Sequence, residues 1–271
     1  VSERLKRRLD ALKAEGRAGF VPFVMAGDRN AQMTASLLEQ LPANGADIIE
    51  LGMPFSDPMA DGPVIQAAGL RALDGGMKMH RLFELVEQFR KTDDDTPVIL
   101  MGYANPVHHY GVAAFMQDAA FCGADGVIIV DVPPEEYDLM EPAACSNAVS
   151  IVRLIAPPSL ETRLPLLAKH ATGFLYYITV KGITGSASAN YAALGEAMAK
   201  IREHTELPVA AGFGISTAED VAEVAKHADL VVVGSALVKI VAEHADASDE
   251  EITQKLLEKC RELSGGISLK N

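Results

Sequence analysis

Short apolar runs recur along the whole chain, and amphipathic stretches fill the intervals between them. The runs are FVPFVM (20–25), DIIELG (47–52), PVILMG (97–102), DGVIIVD (125–131), VSIVRLI (149–155), GFLYYI (173–178), PVAAG (208–212) and DLVVV (229–233). Each is short and predominantly apolar, which predicts a strand buried on both faces. Helical spacing predicts helices over 31–42, 64–73, 78–91, 112–121, 135–145, 159–169, 190–203, 217–226 and 249–263. A further amphipathic helix leads the chain, with Leu5, Leu9 and Leu12 on one face. Eight strands alternating with helices predict a (β/α)₈ TIM barrel with an additional N-terminal helix, occupying 1–271 as a single domain. A doubly wound open sheet is the alternative, but no clear glycine fingerprint follows the first strand.

Composition narrows the chemistry. At 271 residues, 49% hydrophobic and 23% charged, the chain has the make-up of a globular protein able to bury a sizeable core. A net charge of −13 argues against a general nucleic-acid or anionic-membrane surface. Any anionic substrate must then be held by local groups. Cys122, Cys145 and Cys260 are widely spaced without a CxxC, which suggests neither a disulfide framework nor a zinc site. The seven histidines, including His108-His109, show no metal-ligand spacing, so no metal is expected. The leading helix lacks the apolar core of a signal peptide and no run reaches membrane-spanning length, so a cytoplasmic location is expected.

The second strand carries the chemistry. In DIIELG, Glu50 is the acid within an apolar run, facing packed protein, and burial there should raise its pKa and fit it for proton transfer. The following MPFSDPMADGP segment is stiffened by Pro54, Pro58 and Pro63 and carries Asp57 and Asp61, so three carboxylates are expected near one strand end. A capping role for Asp61 or Gly62, ahead of a helix beginning at Pro63, is the structural alternative.

Glycine loops follow the last three strands: Gly182-Ile183-Thr184-Gly185, Gly212-Phe213-Gly214-Ile215-Ser216 and Gly234-Ser235. Together they predict a phosphate cradle on one quadrant of the rim, with the helix that starts at Ser235 adding its positive end. Between the carboxylates and this cradle, Phe23, Met101, Tyr103, Ile128, Val130, Ile155, Tyr176, Phe213 and Val232 offer walls for a flat apolar group, although barrel interiors are filled by such residues in any case.

FVPFVMAGD, DIIELGMPFSDPMADGPVIQ, LMGYANPV, DVPPEE, GITG, GFGIST and VGSALVK together resemble the alpha subunit of tryptophan synthase. The resemblance implies a TIM barrel that splits indole-3-glycerol phosphate into indole and glyceraldehyde 3-phosphate, in tryptophan biosynthesis. It implies Glu50 and Asp61 as catalytic carboxylates, Tyr176 as the active-site tyrosine, Gly185, Gly214, Gly234 and Ser235 at the phosphate, and Phe23, Tyr103, Ile155, Phe213 and Val232 around the indole, where the strand ends add Met101 and Val130. It also implies no cofactor in this chain, and a beta subunit that carries pyridoxal phosphate and docks in an α2β2 assembly near the second, third and sixth loops. There NPVHHYG (105–111) reads as polar and irregular. Thr179-Val180-Lys181 departs from the run more common in the family's sixth loop. Another phosphosugar barrel, an isomerase or epimerase, or a catalytically idle scaffold that activates a partner, are the competing readings.

Overall fold

A computed structural model describes the chain except residues 170, 179–186, 213 and 268–271, and describes residues 187–190 by backbone only. Nine parallel strands form one sheet: β1 (Gly19–Met25), β2 (Ile49–Gly52), β3 (Val98–Gly102), β4 (Gly126–Ile129), β5 (Ser150–Ile151), β6 (Arg153–Ile155), β7 (Leu175–Ile178), β8 (Val209–Gly212) and β9 (Leu230–Val233). Their order is β5-β4-β3-β2-β1-β9-β8-β7-β6. The two terminal strands of that order are consecutive in the chain, separated by Val152 alone, so the sheet closes on itself. The Val152 N–H donates to the Val127 carbonyl at 3.0 Å, and the Thr172 N–H donates to Ile151 at 3.0 Å, which carries the ring across the break. The architecture is the expected (β/α)₈ barrel, with its fifth strand in two pieces.

Side chains alternate between two cores, as a pleated wall requires. Val21, Ile48, Ile99, Ile128, Val152, Phe174, Ala210, Leu230 and Val232 cluster inside the ring. Phe20, Ile49, Leu51, Val98, Leu100, Val127, Ile151, Leu175, Tyr177 and Val231 belong to the core shared with the helices. The leading helix, Glu3–Glu15, is capped by Ser2 and brings Leu5, Leu9 and Leu12 into the interior cluster. It plugs the N-terminal end, where a Cβ at Gly19 would stand 2.6 Å from Leu12 Cδ1.

Acidic residues just before the strands lock this floor. Asp125, fully buried, accepts from Arg4 Nη1 and Arg90 Nη2 at 2.8 Å each, from the Val98 N–H at 2.9 Å and from the Ser2 hydroxyl. Asp47 accepts two 2.7 Å bonds from Arg17 and one of 2.9 Å from the Phe20 N–H. With the floor sealed, the open end of the ring is the C-terminal one, where such barrels do their chemistry.

The helical expectations need two corrections. Residues 105–111 are not irregular, because Ala104–Tyr110 is a helix. The Asp131 carboxylate accepts the Ala104 N–H at 2.7 Å, a long-range cap that local spacing does not reveal. The stretches 135–145 and 159–169 each break into two short helical pieces, at Met140 and Arg163. Among the described residues no helix is long and apolar enough to cross a membrane, and no His, Cys, Asp and Glu side chains cluster in a way that would hold a metal.

Candidate active site

Glu50 lies in β2, paired in register with Phe23 of β1 and Ile99 of β3. With Ile48 it belongs to the inner row of the strand, while Ile49 and Leu51 join the helix-facing core. It is 1% exposed, and its Oε1 has no hydrogen-bond partner among the described residues. Desolvation alone pushes its pKa up to about 8, so near neutral pH it is mostly protonated. The hydroxyl of Tyr176, on the inner row of β7, feels the Glu50 charge, and burial keeps this phenol neutral, well above its ordinary range. Gly212 makes room for it, because a Cβ there would collide with the Tyr176 hydroxyl. Similarly, a Cβ at Gly52 would stand 2.6 Å from the Phe23 ring.

Asp61 reaches the mouth from the loop between β2 and the helix Pro63–Asp74. That helix has Gly62 as its N-cap and no side-chain cap, so the Asp61 carboxylate does not serve as one. Tyr103, at the end of β3, holds the segment. Its hydroxyl accepts the Ala60 N–H at 3.1 Å and hydrogen-bonds the Asp61 carboxylate, while its ring packs on Phe55 at 5.5 Å. Partial burial raises the Asp61 pKa, and the Tyr103 contact draws it back down. Asp57 does not join the other two carboxylates. It is exposed and accepts from its neighbour Ser56 at 2.5 Å.

A depression opens above the packed interior. Met101, Val130, Leu154 and Ile178 border the inner cluster and are partly exposed, whereas Ile99, Ile128 and Val152, two positions before the first three, are fully buried. Phe23 and Val232 complete the described wall between the mouths of β1 and β9. Ile155 is a correction. Register pairs it with Tyr177, in the helix-facing core, and pairs Leu154 with Tyr176 inside. Leu154 and Ile178 were missed because an unbroken apolar run does not reveal its parity. The signal was Arg153, since a guanidinium that faces outward places the next residue inward.

Of the glycine loops, Gly185 and Phe213 lie outside the described residues. Gly214 adopts φ +62°, a conformation that favours glycine. The two helix starts on this side differ. At Ala218–Ala225, Asp220 already accepts the N–H groups of Ser216 and Thr217, so that terminus is occupied. At Ser235–Glu243, Gly234 is the N-cap with no side-chain cap, Ser235 is exposed and Gly234 stands against Phe23, so free N–H groups face the mouth.

Comparison with known proteins gives one family. The model of the family "Tryptophan synthase alpha chain" matches residues 9–268. The tryptophan synthase alpha chain of Caulobacter vibrioides is 50% identical over 265 residues, covering 98% of this chain and 96% of the relative. That of Gluconacetobacter diazotrophicus is 48% identical over 244 residues, covering 90% and 89%. The crystal structure of tryptophan synthase subunit alpha from Legionella pneumophila superposes with a TM-score of 0.88 at 38% identity, covering 98% of this chain and 99% of that one. A buried acid with a bare oxygen, a second acid on the loop that follows its strand and an uncapped helix start are thus carried by a barrel that the family model matches over residues 9–268 and whose relatives align over nearly all of it: the chain belongs to the tryptophan synthase alpha chain family.

Proposed function

We propose that the chain, as a tryptophan synthase alpha subunit, cleaves indole-3-glycerol phosphate to indole and glyceraldehyde 3-phosphate with Glu50 as its proton-transfer group. The observation that carries this assignment is the bare, desolvated carboxyl of Glu50 at the inner end of the mouth. Protonation at ring carbon C3 makes the indole an electron sink and leaves positive charge on the ring nitrogen. Glu50, protonated near neutral pH, is the acid. Asp61, braced by Tyr103, accepts the ring N–H and stabilises that charge. The Glu50 carboxylate so formed takes the proton of the hydroxyl beside the scissile bond. The C3–carbon bond breaks, its electron pair restores the indole, and the triose phosphate leaves as the aldehyde. The neutral Tyr176 hydroxyl stands beside the acid throughout.

Gly214, Gly234 and Ser235, with Gly185, bind the phosphate, which positions the substrate without touching the reacting bond. Phe23, Met101, Tyr103, Val130, Leu154 and Val232, with Phe213, enclose the indole. The chemistry needs no cofactor in this chain, and pyridoxal phosphate belongs to the beta subunit that consumes the indole. The ring formed by all nine strands supports one domain over 1–271, and the free thiols of Cys122, Cys145 and Cys260 fit a cytoplasmic setting. Mixing the purified chain with indole-3-glycerol phosphate and measuring free indole tests the proposal. Turnover by the chain and its loss in Glu50→Gln are expected, and unchanged turnover in that variant overturns the assignment of Glu50.

A further inference from the structure

Tyr103, besides bracing Asp61, is the residue at which β3 turns into the helix Ala104–Tyr110. Its backbone is extended, at φ −117° and ψ 156°, and its side chain gives that helix no cap. The first N–H of the helix, that of Ala104, is taken up by Asp131, whose Oδ1 accepts it at 2.7 Å. Asp131 follows β4, and the end of β4 is held to β3 by the Val130 N–H, which donates to the Gly102 carbonyl at 2.9 Å. Both neighbours of Tyr103 in the chain are thus fixed to the end of β4.

From this anchored backbone the Tyr103 ring packs on Phe55, and its hydroxyl accepts the Ala60 N–H and bonds Asp61. Burial pushes the phenol up to about 12, with the charges of Asp61 and Asp131 adding to the rise, so it stays protonated and donates to the Asp61 carboxylate. Asp131 itself is exposed, so a substitution there opens no cavity in the core. We propose that Asp131 is a positioning residue for the cleavage reaction: by holding the Ala104 N–H it fixes the backbone of Tyr103 and, through the Tyr103 hydroxyl, the carboxylate of Asp61. The inference rests on the role proposed for Asp61, since a group that stabilises developing charge works only from the right place.

The test has two arms. The Ala60 amide resonance reports its bond to Tyr103, and Tyr103→Phe gives the position of that resonance with the bond absent. Asp131→Ala should move the resonance most of the way there, whereas Asp131→Asn, whose amide oxygen still accepts the Ala104 N–H, should leave it near the parent's. In the second arm, Asp131→Ala should lower kcat/KM for indole release by about fivefold, on the scale of one lost helix cap, and Asp131→Asn should restore most of it. In a Tyr103→Phe background the same alanine substitution should cost less than about twofold, because the path through the hydroxyl is already cut. An Ala60 resonance unmoved by Asp131→Ala, an asparagine variant as impaired as the alanine one, or an equal loss in both backgrounds overturns the proposal. The resonance needs no turnover, so a parent that releases no indole contradicts the cleavage reading while Ala60 still decides whether Asp131 holds Tyr103.

Discussion

Two fully buried carboxyl groups, Asp125 at the floor and Glu50 at the mouth, show how one ring of strands uses the same chemistry for opposite ends. Asp125 is surrounded by donors: two guanidiniums, a backbone N–H and the Ser2 hydroxyl. Glu50 has an oxygen with none among the described residues. Burial is therefore no guide to role, and satisfaction is. A paired acid holds the N-terminal helix to the barrel, whereas an unpaired one sacrifices stability to keep a proton at hand.

The contrast is open to direct attack. The largest effect is expected from Glu50→Gln, which should lower indole formation from indole-3-glycerol phosphate by about 10² to 10⁴, the range for loss of one acid–base group. The same change should stabilise the fold at alkaline pH. A carboxyl with a pKa near 8 when folded and near 4.5 when unfolded keeps its proton only in the folded chain between those values. Stability is whole below about pH 4.5 and falls as the pH climbs to about 8, by a few kcal/mol at roughly 1.4 kcal/mol per unit. Denaturant unfolding at pH 9 should show the variant more stable than the parent. Asp125→Ala should do the reverse, costing about 3–5 kcal/mol by stranding Arg4 and Arg90, while the protein that stays folded keeps its kcat.

Smaller effects sharpen the picture. Tyr103→Phe removes a hydrogen bond to a charged group and should lower kcat/KM by about ten- to a hundredfold, consistent with about 1.5–3 kcal/mol for such a bond, with little change in the melting temperature. Leu154→Ala should raise KM through the lost indole wall. Ile155→Val should leave KM alone and cost about 1 kcal/mol of stability, as a trimmed core residue does. Steady-state kinetics and denaturant titrations on the pair separate the inner face of β6 from the outer.

How far the sequence alone reaches can be seen in these same residues. The barrel, its plugging helix and the burial of Glu50 were legible because apolar runs and helical periodicity are local signals. The distinction between Glu50 and Asp125 was not. Both acids adjoin or sit in apolar runs, and the cations that pair Asp125 come from positions 4 and 90, brought in by the closed ring. The helix at Ala104 escaped notice for the same reason, since its cap, Asp131, comes from the next strand. Asp57 and Asp61 share a loop rich in proline, and the Tyr103 hydroxyl, across from β3, braces the second while the first stays exposed.

The claim that matters most is that the Glu50 carboxyl retains its proton inside the folded barrel at neutral pH. Carbon-13 labelling of the glutamate side chains, with Glu50→Gln to identify the signal, allows its titration to be followed by nuclear magnetic resonance in the ligand-free protein. A midpoint near pH 8 is the predicted result, and a midpoint near 4.5, that of an ordinary solvated glutamate, would contradict it.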